Sequence, residues 1–154
     1  MDTRGRLIAK IGAAAVAVVV PFVAYREGTV HRTYLDPIGI ITACTGHVDP
    51  TLRLGTTYTA DQCREMLYVD LLKHADDLEC VKVPLTDNQK AALLSFTFNV
   101  GRKQFCGSTL VRKANAGAAP AEWCPELKRW TLAGGRELPG LVSRRQAEYG
   151  LCLS

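Results

Sequence analysis

Glu27, Asp36 and Thr42 are the residues whose types and spacing could do chemistry together: two carboxyls nine positions apart and a hydroxyl six further on, with the turn-former Gly39 between them. Glu27 lies two residues beyond the uncharged run Ile11 to Tyr25. A carboxyl at the edge of an apolar element has its ionised form disfavoured by desolvation, so it can keep a proton near neutral pH and serve as a general acid. Asp36, in a polar turn, is expected to stay ionised. Such a split pair suits glycoside hydrolysis, in which one group protonates the leaving oxygen while the other activates water or attacks carbon. The same two residues also fit plain surface or capping roles, and spacing alone does not choose. Other chemistries lack their signatures: there is no G-x-S-x-G elbow, P-loop or H-E-x-x-H, and no glycine-rich dinucleotide turn after a strand.

The elements around these residues are readable from capping and turn signals. Tyr34 to Gly46 is rich in Ile, Thr and Gly with Pro37 at a turn, which predicts a short twisted hairpin. Thr59 to Gln62 is a capping-box pattern opening a helix through Asp77, with Met66, Val69, Leu71, Leu72 and Leu78 on its apolar face. A second box, Thr86 to Gln89, opens a helix that is apolar nearly all round and stops at Gly101, the pattern of a central core helix. Ser108 caps another helix that ends at Gly117. Pro120 starts one that Pro125 shortens or kinks, Gly134-Gly135 marks a loop, and Ser143 to Cys152 forms the last helix. The expected fold is α+β: mostly helical, in two lobes, with a small antiparallel sheet in the N-terminal lobe.

Composition agrees with one globular domain plus a short appendage: 154 residues, 47% hydrophobic and 22% charged. A chain of this length buries about 68–70% of its unfolded surface, so it needs neither metal nor crosslink to fold. Its six cysteines, Cys44, Cys63, Cys80, Cys106, Cys124 and Cys152, therefore call for a separate reason. They lack zinc-site spacing and read as disulfides made in an oxidising compartment. Sequence leaves all fifteen connectivities of six cysteines open; Cys124 with Cys152, joining the last two helices, and Cys80 with Cys106 are favoured, and Cys44 with Cys63 is then left over. The formal charge of +4 is uneven, with nine Arg/Lys against four acids in residues 101–154 and six against ten in residues 27–100. Basic pairs such as Arg102/Lys103, Arg112/Lys113, Lys128/Arg129 and Arg144/Arg145 suit a polyanionic partner, a cell-wall polymer for example, or equally solvated helix faces. No nucleic-acid module is recognisable, so no nucleic-acid partner is expected, and a monomer is.

Arg4, Arg6 and Lys10 precede the 15-residue run Ile11 to Tyr25, which resembles an export signal. The run is shorter than the roughly 20 residues of a comfortable span and carries Gly12, Pro21 and many alanines, so it is a weak membrane span. Its basic flank would stay cytoplasmic, placing the rest of the chain outside. Bulky Phe22 disfavours cleavage after Ala24, so retention is expected. The competing reading is a buried helix of a cytosolic domain.

The segment Glu27 to His47, EGTVHRTYLDPIGIITACTGH, resembles the active-site region of the phage-type lysozymes, and Glu27, Asp36 and Thr42 match that family's catalytic set in identity and spacing. The similarity continues through residues 55–63, 84–101, 108–117, 129–135 and 140–148. The resemblance implies a lysozyme-like fold and a muramidase acting on the β-1,4 bond between N-acetylmuramic acid and N-acetylglucosamine in peptidoglycan, without a cofactor or metal. It implies Glu27 as general acid and Asp36 with Thr42 holding the attacking water, usually with inversion. Thr45, at a position often aromatic in relatives, and Pro125 in WCPELKRW depart from the family pattern. His47 is expected to be a structural hydrogen-bonding residue. The amino terminus resembles the signal-anchor-release segment of certain endolysins. That likeness implies residues 1–26 as a tether to the inner membrane that is later released into the periplasm and refolds as the first helix, with residues 27–154 as the catalytic domain. Alternatives are a lytic transglycosylase on the same polymer and a non-catalytic wall-binding protein.

Overall fold

The computed structural model describes residues 1–154. Two helices at the amino terminus, α1 (Thr3–Ile11) and α2 (Ala13–Glu27), meet at Gly12 with a bend of 115°. Gly12 has φ +91°, a left-handed conformation that glycine adopts without strain. Along α2, Ala15, Val19 and Val23 recur every four residues and are fully buried, so one stripe of the helix faces the core. Pro21 lies exposed on another face. No single helix is long and apolar enough to cross a membrane; α1 and α2 reach the necessary length and composition only as a bent pair.

The helical body is built around α4 (Asp87–Val100), where Ala91, Ala92, Leu93, Leu94 and Phe96 have no exposure, as expected for a central core helix. It joins α1 and α2, α3 (Ala60–Ala75) and α8 (Pro139–Leu153) in one 25-residue apolar cluster. Both predicted capping boxes form, Thr59 with Gln62 and Thr86 with Gln89, and Ser108 caps α6 (Thr109–Asn115). Helix α5 (Arg102–Cys106) precedes α6; α7 (Pro120–Trp123) follows it and passes at Pro125 into a 3₁₀ segment, Cys124–Arg129.

The smaller lobe is an antiparallel hairpin, β1 (Val30–Leu35) and β2 (Ile41–Cys44), over a separate cluster of Ala43, Cys44, Leu52 and Cys63. Thr33 faces Ala43, Tyr34 faces Thr42 and Leu35 faces Ile41, with an irregularity between Val30 and Thr33. The three disulfides are Cys44–Cys63, Cys80–Cys106 and Cys124–Cys152, the pairing expected. The first ties β2 to α3, fastening the small lobe to the body.

Some element boundaries differ from the sequence reading. Helix α3 ends at Ala75 and tightens into a 3₁₀ turn, Asp76–Cys80, and Val69 lies outward instead of on the core face. The last helix begins at Pro139, four residues early, because proline suits a first helical position. Gly134 and Gly135, both at positive φ, are the tight turn of a small hairpin, β3 (Leu132–Ala133) with β4 (Arg136–Glu137). The largest correction concerns Arg144 and Arg145. They form no surface for a polyanion, being 5% and 0% exposed inside the body.

Candidate active site

Glu27 is the last residue of α2, and Gly28 at φ +71° turns the chain sharply into β1. The end of the buried valine helix therefore fixes where the carboxylate emerges. Its side chain keeps 25% exposure and accepts a hydrogen bond from Arg144 Nη1. Across the cleft, a methyl placed on Gly46 would lie 3.9 Å from Glu27 Oε2, so the loop after β2 approaches the carboxylate closely.

Asp36 begins the turn between β1 and β2. Its Oδ1 accepts from the backbone N–H groups of Ile38 (2.9 Å) and Ile40 (2.8 Å), the side-chain-to-backbone bonding that favours Asp at turns. Oδ2 accepts no hydrogen bond from the protein and is free for water. Thr42 is buried at 4% exposure, and its hydroxyl donates to the carbonyl of Ile40 at 3.0 Å. Asp36 and Thr42 thus grip the N–H and C=O of the same residue, Ile40. Tyr34, opposite Thr42 in the ladder, links the carboxyls electrostatically: burial, then the charge of Glu27, then that of Asp36 push its phenol pKa upward. Asp36 and Thr42 are thus brought together through Ile40, while no hydrogen bond joins either of them to Glu27.

The sequence reading expects Glu27 to be desolvated at an apolar edge; the structure corrects this, because its side chain keeps 25% exposure and is paired with a guanidinium, Arg144, that no local pattern reveals. Arg144 reaches back from α8 to donate to Glu27, to Ser95 O at 3.1 Å and to Ser95 Oγ at 3.3 Å. Its Nε lies 3.7 Å from Glu148 Oε2, which also accepts from Ser95 Oγ at 2.8 Å. Arg145 adds an ion contact to Glu148 at 2.6 Å, a hydrogen bond to Asn99 Oδ1 at 2.8 Å and a guanidinium 4.9 Å from the Phe96 ring centre. Burial pushes the Glu148 pKa up, opposed by both guanidiniums, and pushes that of Arg145 down, opposed by Glu148. This enclosed network backs Glu27 like a strut, although Arg145 Nη1 is buried without a hydrogen-bond partner. Its sequence trace is the spacing Arg144, Arg145, Glu148, which puts acid and bases within one helical turn.

Two open cavities meet at Glu27 and Asn99. One, of about 550 Å³, includes Tyr25, Leu138, Leu141 and Ser143; the other, of about 380 Å³, includes Gly46, Asp70, Lys73 and His74. The first is lined by α2, α8 and the chain before α8; the second lies between the loop after β2 and the helical body, and Glu27 is on the wall of both, whereas Asp36 and Thr42 line neither. His47 is buried beside the second and bonds Asp70 through Nδ1 at 2.9 Å, matching the structural role expected for it. Thr45, the departure at a position often aromatic in relatives, is also buried, 3.4 Å from the Thr29 hydroxyl. No cluster of metal-binding side chains occurs.

A sequence model of the family Phage lysozyme matches residues 24–148, which include every residue of this site except those shaping the start of α2. The chain belongs to the phage lysozyme family. It is similar to the SAR-endolysin of Enterobacteria phage PA-2, with 36% identity over 97% of this chain and 94% of that protein. Among solved structures, it is similar to the muramidase domain of SpmX from Asticaccaulis excentricus, with TM-score 0.81 and 31% identity over 94% of this chain and 97% of that one. It is also similar to P22 lysozyme, with TM-score 0.79 and 34% identity over 88% and 94%. Family membership makes the chain a glycoside hydrolase on a mostly helical, lysozyme-like fold with a small antiparallel sheet.

Proposed function

We propose that this phage lysozyme is an endolysin muramidase: it hydrolyses the β-1,4 bond between N-acetylmuramic acid and N-acetylglucosamine in peptidoglycan and so lyses the host at the end of infection. In this reading Glu27 donates the proton to the leaving glycosidic oxygen, and Asp36 with Thr42 holds and activates the attacking water, Thr42 also bracing the turn through its bond to Ile40 O. The observation that carries it is the arrangement at the two cavities. Glu27 is on the wall of both cavities, held by Arg144, and on the neighbouring hairpin Asp36 spends one oxygen on the turn and keeps the other free. The Arg144 contact keeps Glu27 in place there when no substrate is bound. The experiment is mass analysis of sugars released from purified peptidoglycan by the oxidised protein. Hydrated reducing muramic-acid ends are expected; anhydro ends would identify a lytic transglycosylase, and no release would point to wall binding alone.

The second part of the proposal concerns residues 1–26, read as a signal-anchor-release segment joined to a catalytic domain of residues 27–154. It tethers the enzyme to the inner membrane after export and then leaves it for the periplasm. Support comes from α2 itself, whose stripe of Ala15, Val19 and Val23 suits lipid as well as the core it occupies here. While that stripe lies in the bilayer it cannot pack on α4, and Glu27 has no fixed position. Ala13, Ala14 and Ala17 are exposed in this fold. Replacing all three by leucine raises the apolarity of the segment without overfilling the core and should hold the protein in the membrane fraction; an unchanged soluble yield would refute release.

A further inference from the structure

Among the phenylalanines, tyrosines and tryptophans only Tyr25 is openly exposed, at 79%, and it stands two residues before Glu27 on the wall of the larger cavity. Core packing does not require it, since the buried stripe of α2 is made by Ala15, Val19 and Val23. The ring is nevertheless held. The Arg26 guanidinium lies 5.1 Å from its centroid and 5.5 Å from that of Phe22, and Arg26 Nη1 donates to Ser143 Oγ at 3.2 Å, which moors the stack to α8. A cation against one face of a tyrosine restricts that ring and leaves the rest of its surface to solvent. Beside it, Leu138 is 41% exposed and Leu141 lines the same wall. The polar groups of this cavity are few and convergent: Glu27, Asn99, Ser143 and the arginines.

The cavity on the other side of Glu27 has a different character, with Asp70, Lys73 and His74 among its lining residues. A glycan strand crossing Glu27 therefore passes between a lining that includes Asp70, Lys73, His74 and Phe98 and one that includes Tyr25, Leu138 and Leu141. A pyranose in the β-linked chair presents a face of C–H groups that is apolar, with its hydroxyls directed around the rim. An exposed, immobilised aromatic ring flanked by hydrogen-bonding side chains is complementary to that shape. We propose that Tyr25 is a saccharide-stacking platform that binds the sugar ring next to the cleaved linkage, with Arg26 as the residue that presents it. This inference rests on the muramidase reading for the identity of the glycan. It adds a substrate-binding residue outside the Glu27, Asp36 and Thr42 set.

The test uses the purified, oxidised full-length chain and a soluble tetrasaccharide of alternating N-acetylglucosamine and N-acetylmuramic acid. In a Glu27→Gln background, which separates binding from turnover, Tyr25→Ala should raise the tetrasaccharide Kd roughly 3- to 10-fold, the size expected for losing one stacking contact. Tyr25→Phe should restore binding. In the otherwise native enzyme, Tyr25→Ala should raise KM by a similar factor with kcat nearly unchanged. The thermal midpoint should not move, because the ring is mostly in solvent. An unchanged Kd for Tyr25→Ala, a Phe variant as weak as Ala, or a loss confined to kcat would each overturn the platform, leaving Tyr25 as an interfacial residue of the tether. Tetrasaccharide that is bound in a Tyr25-dependent way but never cleaved by wild type would sustain the platform while removing the muramidase reading.

Discussion

Replacing Glu148 by alanine should be among the most damaging single changes to this fold, although the residue never meets solvent or substrate. Its carboxylate is 0% exposed, lies 2.6 Å from Arg145 Nε and 3.7 Å from Arg144 Nε, and accepts from Ser95 Oγ at 2.8 Å. Removal leaves two guanidiniums inside the body. Arg144 retains Glu27 and Ser95 as partners, but Arg145, itself 0% exposed, keeps only Asn99 and the Phe96 ring. Stranding a buried charge in this way costs about 3–5 kcal/mol, a large share of the roughly 5–15 kcal/mol that holds a domain together. For a chain of this size that corresponds to a fall in thermal midpoint of about 6–20 °C, from roughly 2–4 °C per kcal/mol. Circular dichroism melts of the oxidised wild type and Glu148→Ala measure it. Glu126→Gln is the control, because its partners Lys113 and Arg129 are 42% and 68% exposed and pairs of that kind contribute about 1 kcal/mol or less. If Glu148→Ala melts within about 2 °C of wild type, or no lower than Glu126→Gln, the network is not the strut inferred here.

Hydrogen bonds from Lys113 and then Arg129 hold the Glu126 carboxyl below its usual range. Its contribution to stability is therefore present above the unfolded carboxylate pKa of about 4.3 and lost as pH falls through the lower folded value. The melting difference between wild type and Glu126→Gln should narrow on acidification, and a gap that widens would reverse the sign. Tyr34 should ionise above an ordinary tyrosine in an ultraviolet titration, and either Glu27→Gln or Asp36→Asn should bring it partway down; indifference to both would place the carboxyls away from the ring. Replacing Cys44 and Cys63 together by serine removes a crosslink spanning 19 residues, which stabilises by about 3 kcal/mol. Only four buried residues form the core of the small lobe, so activity should fail on heating before the far-ultraviolet helix signal does. Simultaneous loss of both would show that the lobes unfold as one.

The sequence was informative wherever structure is local. Thr59 and Thr86 announce their helices because a capping box needs only residues three apart, and both boxes form. The hairpin carrying Asp36 and Thr42 was readable from Pro37, Gly39 and the β-branched run, although it starts four residues earlier than Tyr34. Arg144 and Arg145 were not readable, because a basic pair on a helix looks the same whether it faces water or a buried Glu148, and only the packing of α8 on α4 decides. The Arg144 contact to Glu27 spans 117 positions and has no local signature. Tyr34 escaped for a related reason: its importance comes from the cross-strand register that sets it opposite Thr42. The hairpin around Gly134-Gly135 looks like a loop in the sequence because its strands are two residues each, too short for any periodicity.

Reducing-end release from purified peptidoglycan by wild type and Glu27→Gln, each shown to be folded at the assay temperature, tests the central claim most directly. Loss of a positioned general acid lowers the rate by about 100- to 10,000-fold, and the account expects a fall in that range with the fold intact. A folded Glu27→Gln protein that keeps its rate within about fivefold of wild type would contradict it.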